Sequence, residues 1–278
     1  MRKIWIALAC AIVAALSVAA VASAVNTYEV DIAKATKGKG SKNKPKPAKL
    51  AFGYEVDDSA DLRPEVIRQY RIAAEGLRSF PNARPDCTFE QATDPTVTDP
   101  SQLSRACRRA FVGDGTISNE AGAPNDRTQK LACNVTLTLI NISDGDPRYP
   151  ETQRAIRRNG GIAIRIDTDP PACPIPVHEA LAAPFYNVKI QGIPTSELRF
   201  TVPDTLAHPG GLDNSVVDVT SNVDKKTGKV RVKRGAKKRK VGFYSLVGRK
   251  GRTRTIRVTF VDESGAKFTA TRTMGTTR

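Results

Sequence analysis

Alternating apolar and polar positions recur along most of this 278-residue chain. Successive side chains of a β-strand point to opposite faces, so this alternation predicts half-buried strands. The clearest run is Leu131–Leu139, where odd positions such as Cys133 are apolar and even positions such as Asn134 are mainly polar. Cys133 is therefore expected to face the core. Strands are predicted over Leu50–Val56, Ile67–Ala74, Leu131–Ile142, Gly161–Asp167, Phe185–Ile190, Glu197–Val202 and Ser215–Val223.

Two further runs, Thr253–Val261 and Ala266–Thr273, flank a segment ending in Gly265. Glycine can take the positive φ of a tight turn, which predicts a C-terminal hairpin. Helical signals are short and cover Pro100–Ala110 and Pro176–Ala183, where proline opens a run of small residues. The chain is therefore predicted to be mainly β, an antiparallel β-sandwich with short helices, and an open β-barrel is the alternative.

Residues 1–24 have the pattern of a cleavable signal peptide. Two basic residues precede an apolar run from Ile4 to Ala22, and small residues through Ala24 provide a cleavage site. An uncleaved anchor is the alternative, because about 20 apolar residues can span a bilayer. The run is dominated by alanine, which favours cleavage near Ala24 and a secreted or cell-envelope protein.

Residues 25–49 are predicted to be a disordered linker rich in Lys, Gly and Pro. Residues 34–49 contain seven lysines, no acidic residue and no apolar periodicity. Such a segment buries too little surface to offset its ordering entropy. Residues 50–278 contain no second linker and are predicted to form a single β-rich domain that ends in a basic hairpin and a short tail.

Four cysteines follow the predicted cleavage site, at Cys87, Cys107, Cys133 and Cys173. An even number of cysteines in an exported chain predicts disulfides, and four cysteines allow three pairings. Sequential pairing, Cys87 with Cys107 and Cys133 with Cys173, is expected. A zinc site is the alternative use, but no pair has the C-x-x-C spacing that such sites favour, so no metal is predicted.

Charge is unevenly distributed along the chain. The formal net charge is +16, yet residues 50–224 carry a net charge of −7 and residues 225–278 hold 18 basic and two acidic residues. Valines alternate with cations within Lys225–Lys240, which predicts a protruding basic hairpin. A sheet edge protected by lysines against pairing with other chains is the alternative. The candidate polyanion-binding residues are Lys229, Arg231, Lys233, Arg234, Lys237, Lys238, Arg239 and Lys240.

Residues with catalytic chemistry are few and isolated. His178-Glu179 lacks the second histidine that a zinc-protease helix needs four residues after the first. His208 lies in a predicted turn, and no nucleophile elbow accompanies either histidine. Paired carboxylates can hydrolyse glycosides, but here they flank Gly, Ser or Pro, which is typical of turns. These pairs are Asp57 with Asp58, Asp144 with Asp146, and Asp167 with Asp169. No catalytic or cofactor-binding residue is predicted.

The segment Cys107–Ile117, CRRAFVGDGTI, resembles a recurring element of exported bacterial β-rich proteins without assigned function, C-x-x-A-x-V-G-x-G-x-I. The order of features is also similar: signal peptide, Lys/Gly/Pro linker, the strand at Leu50–Val56, paired cysteines, the turn that begins at His208, a basic segment and a terminal hairpin. The resemblance covers nearly the whole mature chain. Its motifs are structural, so it implies no catalytic residue.

These observations predict a non-enzymatic exported binding or structural protein whose basic surface contacts an acidic cell-wall polymer or an anionic membrane surface. Single-stranded nucleic acid is disfavoured because no stacking aromatics are interleaved with the cations. The alternative is an extracellular protein that binds or hydrolyses glycans through surface carboxylates.

Overall fold

A computed structural model of the protein describes residues 26–38, 40–231, 237–248 and 254–277. The strands of these residues are numbered in chain order. They are β1 Asn26–Thr36, β2 Lys46–Ala48, β3 Leu50–Asp58, β4 Ile67–Ala74, β5 Leu77–Ser79, β6 Phe111–Gly122, β7 Leu131–Ile142, β8 Gly161–Thr168, β9 Val177–Ile190, β10 Ile193–Thr201, β11 Asp213–Val223, β12 Thr227–Val230, β13 Arg239–Gly242, β14 Tyr244–Leu246, β15 Thr255–Asp262, β16 Lys267–Thr273 and β17 Gly275–Thr277.

The helices are short and lie between strands. The α-helices are α1 Phe89–Ala92, α2 Arg105–Ala110, α3 Pro150–Asn159 and α4 Asp204–Ala207, and the 3₁₀ turns are Pro81–Ala83, Pro100–Gln102 and Pro209–Gly211. Two of the α-helices begin at hydroxyl caps: Thr88 accepts from the Gln91 N–H and Ser104 accepts from the Cys107 N–H. Such caps satisfy N–H groups that the helix itself leaves unpaired.

Twelve strands form one large sheet in the order β16-β15-β4-β10-β9-β8-β7-β6-β11-β3-β1-β17. The sheet curls until its two ends nearly meet. β17 continues the chain from β16 and pairs in parallel with β1, with Lys34 opposite Gly275. Arg272 of β16 also donates to the Val30 carbonyl of β1 at 2.8 Å. The mainly β prediction, with sandwich or barrel as its two forms, is confirmed by this nearly closed sheet.

Aromatic side chains pack across the seam where the sheet closes. The Tyr28 ring of β1 stacks on Phe260 of β15 and Phe268 of β16, with ring centroids 4.6 and 4.8 Å apart. Phe260 also contacts Tyr54 and Tyr70 edge-on at 5.2 and 5.8 Å. Such ring pairs stabilise a core beyond the area they bury. The seam is therefore closed by aromatic packing as well as by hydrogen bonds.

The two ends of the barrel are capped differently. At one end a small sheet, β2-β14-β5, places Phe243, Tyr244 and Leu246 against the barrel interior. At the other end α4 inserts Leu206 into the same core. We call these the sheet-capped end and the helix-capped end. Between them the interior contains a cavity of about 130 Å³.

A second, smaller core lies outside the barrel wall. Apolar side chains of α1 and α2 pack there against the outer faces of β7, β8 and β9. Arg165 of β8 is fully buried beside this core. It pairs with Asp167 and donates to the carbonyls of Ala92, Asp94 and Val97. One guanidinium therefore attaches the α1 segment to the barrel.

Both predicted disulfides form. Cys87 bonds to Cys107 and Cys133 bonds to Cys173, with Cα atoms 5.1 and 3.9 Å apart. The first joins the segment before α1 to α2. Two disulfides are typical of an oxidising compartment outside the cytosol. Among the described residues no helix combines the length and apolar character that crossing a membrane requires, and the predicted signal peptide lies outside them.

Several predicted elements are confirmed with their boundaries. β4 and β7 coincide with the predicted strands, and the C-terminal hairpin is formed by β15 and β16. Along β7, Cys133, Val135 and Leu137 are buried as expected. The predicted helical run over Pro100–Ala110 is present as a 3₁₀ turn followed by α2.

Two predictions are wrong. The linker assigned to residues 25–49 contains β1, where Val30, Ala33 and Ala35 are buried against β3, so the folded part begins before Leu50. The helix expected over Pro176–Ala183 is the first half of β9, which pairs with β8. Helix propensity of the small residues is overridden there by pairing with β8 and by burial of Ala180, Leu181 and Ala183.

Candidate functional site

The predicted basic hairpin is formed by β12 and β13. These strands pair antiparallel, with Lys229 opposite Lys240 and Val230 opposite Arg239. Lys229, Arg231 and all four residues of 237–240 are exposed. Lys233 and Arg234, the other two candidate residues, lie outside the described residues. Two lysines directly opposite each other repel, because like charges on paired positions destabilise a sheet.

A second lysine-rich segment lies beside this hairpin. β2 pairs with β14, which follows β13 directly, and Pro47 lies against Gly242 of β13. The described residues of this segment, 37–38 and 40–49, therefore lie at the sheet-capped end, next to a hairpin almost 200 positions later in the chain. We call the cations of the two segments the basic end. Its described members are Lys37, Lys42, Lys44, Lys46, Lys49, Lys229, Arg231, Lys237, Lys238, Arg239 and Lys240.

The basic end contains no acidic residue of its own. Neither 37–49 nor 229–240 includes Asp or Glu. Within the described residues, none of its cations forms a salt bridge with a carboxylate, although Lys226 at the base of the hairpin lies 3.7 Å from Asp224. The large exposed apolar side chains of the described residues, Leu131 and Tyr149, belong to other surfaces. The surface is thus positive and polar.

Both histidines lie at the helix-capped end and bridge carboxylates. The ring nitrogens of His178 lie 3.2 Å from both Asp167 and Asp169. Those of His208 lie 3.0 Å from Asp213 and 2.7 Å from Glu263. Each imidazole therefore connects two chain segments through both of its nitrogens, an arrangement that holds surface loops in place.

The other predicted carboxylate pairs also have structural partners. Asp58 is buried and accepts from Arg127 at 2.5 Å. Asp144 accepts from the backbone at the start of α1, and Asp146 pairs with Arg148 through both carboxylate oxygens. These contacts fix loops, as expected for carboxylates beside turn residues.

Three other carboxylates converge where sequence reasoning indicated nothing. Asp31, Glu55 and Asp218 lie on neighbouring strands β1, β3 and β11, with carboxylate oxygens within 4.8 Å of one another. Partial burial and the neighbouring negative charges raise the pKa of Glu55 and of Asp218. Oxygen ligands suit a hard cation, but three supply only half of the minimum that Ca²⁺ takes. The three carboxylates meet because of the register in which β1, β3 and β11 pair, and this register cannot be read from the sequence.

A surface cleft of about 320 Å³ lies between α3 and the outer face of β4, β9 and β10. Tyr149 at its rim is 50% exposed. The Arg199 guanidinium lies 4.2 Å from the centre of the Tyr186 ring within it. Exposed aromatic rings combined with arginine donors can stack on and hydrogen-bond a polar ring.

No protein-family model matches this chain, and no curated protein and no solved structure matches it significantly.

Proposed function

We propose that this protein is a non-enzymatic binding protein of the cell envelope or extracellular space, and that its basic end binds an acidic polymer. The observation that supports this most is the convergence of two lysine-rich segments, distant in sequence, on one end of the barrel, where their described cations form no salt bridge. The two disulfides are consistent with work in an oxidising compartment.

Unpaired cations on one surface raise the local concentration of anions and repel one another until an anion binds. Lys229 and Lys240, which are paired on adjacent strands, would gain directly from a shared anionic partner. A polymer fits the layout better than a small anion, because the cations are spread over a hairpin and a separate segment. Its attraction should weaken as salt screens exposed charges.

The test compares two variants that lose the same charge. The first replaces Lys237, Lys238, Arg239 and Lys240 by Ser; the control replaces Arg105, Lys130, Arg154 and Lys267, which are exposed cations outside the basic end. Retention is measured on immobilised dextran sulfate and on phosphatidylglycerol vesicles at about 0.15 M salt. The first variant should elute unretained from dextran sulfate while the control stays bound.

Equal retention of the two variants on dextran sulfate would show that net charge alone causes retention. It would refute the proposal that the basic end is the binding surface. Binding of the unaltered protein to vesicles but not to dextran sulfate would replace the polymer by a membrane surface as partner.

The cleft beside α3 supports a second candidate, glycan binding. Replacing Tyr149 by Ala should then reduce retention on a panel of immobilised polysaccharides at least tenfold. The matched control is Leu131→Ala, since Leu131 is also a large exposed apolar residue but lies outside the cleft. Unchanged retention of the Tyr149 variant would exclude the cleft as a glycan site.

A further inference from the structure

The interior of the barrel is not filled by its own side chains. Its cavity of about 130 Å³ is lined mainly by aliphatic and aromatic residues from opposite walls, among them Phe52, Val135, Leu137, Ile164, Leu198 and Val219. An eight-stranded barrel is just wide enough for side chains to fill. Closing twelve strands gives a wider interior, so even large aromatic rings leave space between the walls.

Two polar atoms in the wall of this cavity lack partners among the described residues. The side-chain oxygens of Asn119 and Asn214 are buried, and neither has a partner with hydrogen-bond geometry in the described part of the chain. Buried polar atoms are nearly always paired in folded proteins, with protein, water or ligand. Their presence in one cavity therefore points to a bound group that satisfies them.

The two amides lie on the same wall. Asn119 of β6 is paired with Val216 of β11, two residues from Asn214, so the two side chains are diagonal neighbours on the inner face. Asn214 donates its amide N–H to the Leu206 carbonyl at 3.0 Å, which orients its oxygen as an unpaired acceptor. Across the cavity, burial raises the pKa of Tyr70, and the Tyr54 and Tyr70 hydroxyls lie within hydrogen-bonding reach of each other. Tyr70 is thus protonated at neutral pH and can donate.

We propose that the barrel interior binds a small amphiphile: an apolar body the size of one ring or a short alkyl chain, with a hydroxyl that donates to the side-chain oxygen of Asn119. An apolar cavity of about 150 Å³ is known to stay dry and to bind benzene, so a body of this size fits. The unpaired acceptors add a preference for a ligand that carries a donor. The site lies inside the barrel, apart from the basic end.

The helix-capped end provides the route in. Leu206 of α4 lines the cavity, and α4 is held to the barrel by burial of Leu206 and Ala207, by the Asn214 bond to the Leu206 carbonyl, and by surface contacts of Thr205 with Glu179 and of Arg68 with Asp204. The exposed contacts are weak and the helix has only four residues, so displacing α4 breaks fewer buried contacts than opening the sheet.

Phenol and benzene are suitable probes, since they differ by one hydroxyl. The purified protein is titrated with each, and binding is followed by NMR and by the rise in Tm that ligand binding to the native state produces. Phenol should bind at one site and more tightly than benzene. Asn119→Leu should weaken phenol binding about tenfold, the effect of one lost hydrogen bond, and leave benzene binding unchanged.

Val135→Phe should occupy the cavity and abolish binding of both probes; if that variant does not fold, the Asn119→Leu comparison decides alone. Absence of saturable binding by the unaltered protein overturns the proposal, as does equal loss of phenol and benzene in Asn119→Leu. The variant that loses Lys237 to Lys240 should bind phenol normally, so failure of the polyanion proposal and failure of this one are distinguishable.

Discussion

Replacement of Arg165 by Met tests how the outer α1 segment is attached to the barrel. The Arg165 guanidinium is fully buried and uses Nε and both Nη atoms: Nε lies 3.1 Å from both oxygens of Asp167, and Nη1 and Nη2 donate to the carbonyls of Ala92, Asp94 and Val97. Methionine keeps part of the side-chain volume but removes every donor. Among the described residues, His178 is then the one side-chain partner left to Asp167.

Removing one partner of a buried ion pair typically costs about 3–5 kcal/mol. We expect Arg165→Met to lower the free energy of unfolding by that amount, a large share of the about 5–15 kcal/mol that stabilises a typical domain. Arg165→Lys should lower the free energy of unfolding almost as much, because one ammonium cannot replace a planar guanidinium that reaches four groups. The matched control is Arg154→Met, whose exposed pair with Glu151 should contribute less than about 1 kcal/mol.

Urea unfolding followed by circular dichroism measures these differences, with the m-value as a check that the cooperativity of the transition is retained. A loss below about 1 kcal/mol for Arg165→Met would refute the reasoning, because it would mean that water or rearrangement satisfies the four acceptors equally well.

Three further predictions concern stability. Replacing Cys87 and Cys107 together by Ser opens a loop of 20 residues and should cost about 3 kcal/mol, measured by urea unfolding against the unaltered protein with both disulfides intact. Asp218→Asn should stabilise the protein at pH 7 by about 0.2–1 kcal/mol, since Asp218 lies opposite Glu55. The pKa of Asp218 is raised in the folded state, so the Asp218 charge destabilises the protein increasingly as the pH rises through that value. The stability gained in Asp218→Asn should therefore disappear at pH 3, where Asp218 is protonated. An equal gain in stability at pH 3 and pH 7 would contradict this. Phe260→Ala should lower the free energy of unfolding by about 3–5 kcal/mol, because Phe260 is fully buried at the seam. Phe268, which is half-buried, is the comparison: equal Tm values for Phe260→Ala and Phe268→Ala would argue against a special role for Phe260.

Elements with one polar face could be predicted from the sequence. β7 alternates between core and solvent from Cys133 to Thr138, so the direction of Cys133 followed from the pattern, whereas Leu131 is exposed and the last four residues are all buried. β6 was missed because Gly113 and Gly115 interrupt its pattern. A Cβ at Gly113 would lie 2.1 Å from the Asn222 carbonyl oxygen of β11, and one at Gly115 would lie 2.2 Å from that of Thr220. Glycine is needed there because the two backbones approach closely, and that cannot be inferred from residue pattern alone.

The candidate site was predictable in parts. The cations of β12 and β13 were identified as a hairpin, but their proximity to Lys42 and Lys44 results from the pairing of β2 with β14 across about 200 residues. The disulfide pairing followed from sequential order. The cavity and the carboxylates around Asp31 depend on closure of the sheet and on strand register, which are long-range properties.

Closure of the barrel also orders the events of folding. We expect β1 to pair with β3 as soon as residues 50–58 are available, whereas its other edge is covered, in the described structure, by β16 and β17. Arg272, which bonds to Val30, lies 242 residues further along the chain. Contacts between such distant residues form slowly, because a long loop must be closed first. During that interval the free edge of β1 can pair with other chains. β16 and β17 should therefore protect the protein against aggregation, and a chain cut before residue 267 should associate with itself through β1.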